Sequence, residues 1–139
     1  MAAAAVTPRV RTIVICDDVF ASDTEEGVFN LEGVRQHLYA ETLPLRADLN
    51  VFLLLSSPRN GHFPGRLLVV NERNDKTIRY VKFGVDFEEE NDLVPLRVEM
   101  SACVFPEAGQ YHFQVFFSGS DGNETLKGEL PFRVLSEEP

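Results

Sequence analysis

The chain has 139 residues, 44% apolar and 25% charged, which fits one globular domain with its own core. Its 22 acidic side chains outnumber 13 basic ones, for a formal charge of −9. That balance disfavours non-specific nucleic-acid binding and attachment to an anionic membrane, because both rely on a surplus of Lys and Arg.

Residues 1–8 read as a flexible N-terminal tail, since an alanine-rich stretch ended by Pro8 has little to bury. They lack the positive start and apolar centre of a signal peptide. No later run approaches the ~18 apolar residues of a membrane span. Val10 to Cys16 is the first strand. Its consecutive β-branched Ile13, Val14 and Ile15 suit a strand covered on both faces, and Asp17-Asp18 end it. Residues 21–26 form a polar turn before a short strand from Val28 to Val34. From Val34 to Thr42 the pattern is ambiguous. It predicts an irregular connection with at most one helical turn, ending at Leu43-Pro44.

Leu49 to Ser57 is the most apolar strand and is expected at a sheet centre. Ser56 to Gly65 is dense in turn formers and reads as a hairpin loop. Leu67–Glu72 and Thr77–Phe83 flank Asn74-Asp75 as a second hairpin. Residues 86–92 are an acidic connector. Leu93 to Val104 follows as a long strand with Leu96, Val98, Met100, Ala102 and Val104 on its apolar face. In the last stretch Tyr111, Phe113, Val115 and Phe117 alternate with Gln110, His112 and Gln114. After a glycine-bearing turn, Leu126, Gly128, Leu130, Phe132 and Val134 return. Pro131 cannot donate to a ladder and belongs at an edge or a bulge. Residues 9–135 thus form one domain, and 136–139 an acidic C-terminal tail.

About eight strands, short connections and no clear helix predict an all-β fold: a two-sheet antiparallel β-sandwich, with a small closed barrel as the other solution. The pattern Pro106-x-x-Gly109-x-Tyr111-x-Phe113-x-Val115 resembles the closing hairpin of immunoglobulin-like and fibronectin-like sandwiches. Tyr111 resembles a tyrosine corner, whose hydroxyl bonds backbone upstream. With no Trp, the Cys–Trp–Cys core of antibody domains is missing. Four pieces are the opening strand from Val10 into Cys16-Asp17-Asp18, Asn30-Leu31-Glu32-Gly33-Val34, Leu43-Pro44 and Pro106 to Phe117. Through them the chain resembles a group of small uncharacterised bacterial proteins, a domain of unknown function. That resemblance implies a sandwich and brings no activity or site residues.

Chemistry is sparsely marked. His37, His62 and His112 lie outside metal-ligand spacing of each other and of the cysteines. There is no G-x-S-x-G elbow and no glycine-rich phosphate loop before a helix. Cys16 and Cys103 sit in strands with no base placed beside them, as buried reduced thiols rather than a disulfide. Asn123-Glu124-Thr125 matches the glycosylation pattern by chance. Acids cluster at Asp17, Asp18, Asp23, Glu25 and Glu26; at Asp86, Glu88, Glu89, Glu90 and Asp92; and at Asp121 and Glu124. None follows calcium-loop grammar, and Asp17-Asp18 read as turn caps.

Residues 1–83 carry 10 basic and 10 acidic side chains, and residues 84–139 carry 3 and 12. Arg59, Arg66, Arg73, Lys76, Arg79 and Lys82 raise the idea of a basic patch facing an acidic one on another copy. Their mixed parity reads instead as solvated strand faces. The expectation is a non-enzymatic, bacterial, cytoplasmic interaction module with no catalytic, cofactor or metal residues, binding another protein or itself through a sheet edge. The alternative is a sandwich holding calcium or carbohydrate at its acidic loop end, with Tyr39, Phe63 and Phe105 as candidate aromatic platforms.

Overall fold

In a computed structural model of the protein, residues 7–89, 92–119 and 121–137 are described. The predicted positions 1–6 and 138–139 of the two tails, and Glu90 and Asn91 of the acidic connector, lie outside them. Ten strands are present among the described residues: β1 (Arg9–Cys16), β2 (Asp18–Ala21), β3 (Phe29–Glu32), β4 (His37–Ala40), β5 (Leu45–Ser56), β6 (Gly61–Asn71), β7 (Thr77–Phe87), β8 (Leu93–Phe105), β9 (Gly109–Ser118) and β10 (Glu124–Ser136). They form a three-stranded sheet in the order β1-β5-β8, a five-stranded sheet in the order β4-β10-β9-β6-β7, and a two-stranded β2-β3 hairpin. All pairs are antiparallel except β4 with β10. Between the two main sheets the chain crosses after β4, β5, β7 and β8, as in a sandwich. The two main sheets share no ladder, so the fold is a sandwich and not a closed barrel.

The core lies between the two sheets. β9 supplies Tyr111, Phe113, Val115 and Phe117, all fully buried, because strict alternation sends every second side chain inward. Phe105 of β8 packs edge-on against Tyr111 and tilted against Phe132, joining the sheets. The expected tyrosine corner is present: the Tyr111 hydroxyl donates to the Glu107 carbonyl at 2.7 Å.

Several expectations are corrected. Residues 37–40 form β4, a strand too short to show a period, whose Leu38 and Ala40 are buried while His37 and Tyr39 are exposed. The chain does not end its pairing at Asp17-Asp18: Asp18–Ala21 is β2, which pairs with Phe29–Glu32 rather than with the longer Val28–Val34 segment. This hairpin lies against the outer face of β5, with the Phe29 ring centroid 5.8 Å from that of Phe52, and so explains an apolar residue on the outer side of that strand. The 56–65 stretch is no hairpin loop. Residues 57–60 carry the chain from one sheet to the other, and β6 begins at Gly61. Turn formers mark a reversal; they do not say which sheet receives the chain.

In β8 the predicted apolar parity fails after Met100. A bulge sets Ala47 opposite Cys103 but Leu49 opposite Met100, so Cys103 and Phe105 turn inward while Ala102 and Val104 face out. Ala102 adopts φ 52°, and the Asp48 carboxylate holds its N–H at 2.7 Å. A second bulge, between Leu126 and Gly128, turns Leu126 outward. Pro131 meets the edge expectation: it pairs with His112 of β9, and β4 joins β10 only from Arg133 onward.

Candidate interaction surface

Pairing places Lys82, Arg66, Phe116 and Leu126 side by side across β7, β6, β9 and β10. The next row holds Tyr80, Leu68 and Gln114. These are the outward positions of strands whose alternate residues fill the core. The Arg66 guanidinium stacks 5.3 Å from the Tyr80 ring centroid and 5.6 Å from that of Phe116, and it is ion-paired to Glu124. Its Nε is buried and has no acceptor among the described residues. Lys82 lies 5.9 Å from the same Tyr80 ring. Beside them a groove of about 520 Å³ is lined by Arg66, Tyr80, Lys82, Phe83, Ser118 and Glu124. Tyr80 is 42% and Leu126 44% exposed, so apolar surface stands open next to charge.

Further along this face, His112 lies between two carboxylates, with Nδ1 3.0 Å from Glu129 and Nε2 3.5 Å from Glu72. Gln114 donates to the other oxygen of Glu129 at 3.0 Å. His112 therefore faces outward, as its parity predicts, but is largely covered. His62 pairs with Asp86 at 2.7 Å, and His37 packs edge-on against exposed Tyr39.

The acids singled out in the sequence are dispersed into structural roles. Arg35 donates to both Asp17 oxygens at 2.5 and 2.9 Å, and this holds the Asp17 carboxyl below its usual range. Asp18 accepts from the Val19 N–H at 2.8 Å, a local cap. Asp92 caps the connector by accepting from the Glu89 N–H, and Asp121 accepts from the Asn123 N–H. Among the described residues no group of three or more His, Cys, Asp or Glu side chains is placed to hold a metal ion. Of the three candidate sugar platforms, Phe105 is buried in the core, Phe63 packs against Phe87, and only Tyr39 stays exposed.

The basic residues divide as their parity predicts. Arg66 and Lys82 share the outer face, Arg73 turns to Glu107 at 2.6 Å, and half-buried Arg79 sits near Cys103. Both cysteines are buried and free. Burial pushes the Cys103 thiol up to about 11 and raises that of Cys16, where Asp17 and Asp18 add to the effect. Neither has the character of a nucleophile.

The outer-face cluster was not singled out in the sequence, although a signal existed. Phe116-Phe117 and Leu67-Leu68 are adjacent pairs in alternating strands, so one member of each has to face outward.

No helix among the described residues is long and apolar enough to cross a membrane. No curated protein matches the chain. Among solved structures it is similar to the soluble domain of PmoD from Methylocystis sp. ATCC 49242 (Rockwell), with 14% identity over 91% of this chain and 97% of that one, and a TM-score of 0.39. A likeness at that level carries no argument. Residues 11–135 match the model of a family of unknown function (DUF6941).

Proposed function

The chain belongs to DUF6941, a family of unknown function, and we propose that it is a non-enzymatic interaction module of the bacterial cytoplasm. It binds another protein, or a second copy, through the outer face of its five-stranded sheet. The observation that carries this reading is Arg66 stacked between Tyr80 and Phe116, with Leu126 exposed beside them. Tyr and Arg are among the residues that dominate binding energy at protein interfaces, and Phe is enriched there, because they bring large rigid area and a fork of donors. An apolar row rimmed by Lys82 and Glu124 has that anatomy. The cytoplasmic part of the proposal rests on two buried free thiols in a chain of this size.

The test is affinity capture from extracts of the native cells, comparing wild type with Leu126→Asp. A discrete partner held by wild type and lost with the variant is expected. Equal capture by both proteins would contradict the surface, and no capture by either would contradict the module. A parallel thermal melt with calcium and with chelator is expected to give the same midpoint. A rise of several degrees with calcium would favour a metal-holding sandwich instead.

A further inference from the structure

The edge strand β7 carries the complement of its own sequence. It bonds to β6 alone among the described strands, so its other edge presents free backbone donors and acceptors. Tyr80, Lys82, Gly84 and Asp86 take one parity, and Val81, Phe83, Val85 and Phe87 take the other. A two-fold axis through Gly84 sets Lys82 opposite Asp86, Val81 opposite Phe87 and Phe83 opposite Val85. The same operation sets Tyr80 opposite Glu88, just past the strand. Every like-faced pair is then apolar with apolar or polar with polar, and both lysines meet carboxylates.

We propose that two copies of this chain pair antiparallel through β7, about Gly84, into one continuous sheet. The inference rests on the reading of the protein as an interaction module and names a second copy as a partner. Two observations support it. Lys82 has no carboxylate within ion-pair distance among the described residues. Val81 and Phe83 lie on the core face yet remain only half-buried, whereas Leu67, opposite Val81 on β6, is fully buried. A neighbouring strand would cover them.

A lysine on an edge often serves to block pairing, but it blocks only registers in which it meets another cation. About Gly84 it meets Asp86, and opposite charges directly across a ladder attract. The comparison with β10 is instructive. Where β10 lacks a second neighbour it carries Pro131 and a bulge beside Lys127, the usual protections of an edge. From Tyr80 to Phe87, β7 has neither proline nor bulge. The resulting interface is isologous, so each copy gives and receives the same contacts.

Light scattering on the purified full chain, across a dilution series, is the test. Wild type is expected to form a dimer that dissociates on dilution and weakens with salt. Lys82→Glu and Asp86→Lys should each raise the dissociation constant on the order of tenfold or more, because two attractive pairs become repulsive. An equimolar mixture of the two variants should restore the dimer, since both cross-strand pairs regain opposite signs. Lys82→Gln and Asp86→Asn, with intermediate weakening, serve should a reversal fail to fold. A wild type monomeric at every concentration, or single reversals that dimerise as wild type does, would overturn the pairing. A monomeric wild type that still captures a partner through the Leu126 face would end this inference alone. A chain that does neither would end both readings.

Discussion

The two faces of the five-stranded sheet are built from the same strands and do opposite things. On β9, Tyr111, Phe113, Val115 and Phe117 point one way and lose all contact with water. On the other side Gln110, His112, Gln114 and Phe116 are only partly covered. The inner row of β9 is built of Tyr, Phe and Val alone and holds the fold together. The outer face mixes aromatic rings with Arg66, Lys82 and carboxylates, and its apolar members are not needed to close a core. Stability and the proposed recognition thus fall on opposite sides of a single backbone alternation, which makes them separable by mutation.

The largest expected effect is on the inner side. Phe113 is fully buried and packs edge-on against Phe132 at 5.4 Å. Phe113→Ala should cost about 3–5 kcal/mol of unfolding free energy, measured by urea denaturation, through lost transfer energy and the cavity left behind. Leu126→Asp on the outer side should stay within about 0.5 kcal/mol of wild type in the same measurement. A comparable loss for both would erase the distinction between the faces.

The next effect lies at the β8 bulge, which sets which residues of that strand face inward. Asp48 holds the Ala102 N–H, and Ala102 occupies a left-handed backbone region that costs a non-glycine residue about 1–2 kcal/mol. Asp48→Ala should destabilise by roughly 0.5–1.5 kcal/mol in thermal or urea unfolding, through the lost hydrogen bond to an exposed amide. Ala102→Gly should recover part of the backbone cost and so change stability little or raise it.

A smaller effect is pH-dependent. Hydrogen bonds from Arg35 depress the Asp17 carboxyl, and those from Arg73 and then Asn71 depress that of Glu107. A carboxyl whose folded pKa is depressed contributes stability that is present above its unfolded pKa. That contribution is lost as pH falls through the lower folded value. Stability should therefore decline below about pH 4. Asp17→Asn with Glu107→Gln should flatten that decline in melts recorded across acid pH. An unchanged acid limb would remove these pairs from the account.

Much of the architecture is legible in residues whose pattern is local. Strict alternation from Tyr111 to Phe117 announces β9 and its buried face, and Pro106, Gly109 and Tyr111 announce the corner. What escapes the sequence is non-local. β4 exists because β10 offers it a ladder at Arg133 to Ser136, and four residues carry too little period to reveal that. The inversion of Cys103 and Val104 depends on one extra residue opposite Asp48, which no periodicity records. The sheet change at 57–60 looks like any other turn. The candidate surface was half visible: Arg66 and Lys82 are among the basic residues that stand out, although their mixed parity reads as solvated strand faces. Joining them to Tyr80, Phe116 and Leu126 requires the strand order and the second bulge.

The central claim is that the outer face meets another protein in the cell. A photo-cross-linking residue placed at Leu126, compared in living cells with one at Val34, tests it most directly. Val34 is 61% exposed and lies in the chain between β3 and β4, outside the five-stranded sheet. The account predicts a discrete protein adduct from position 126 and none from position 34. No adduct at 126, or the same adducts from both positions, would contradict it.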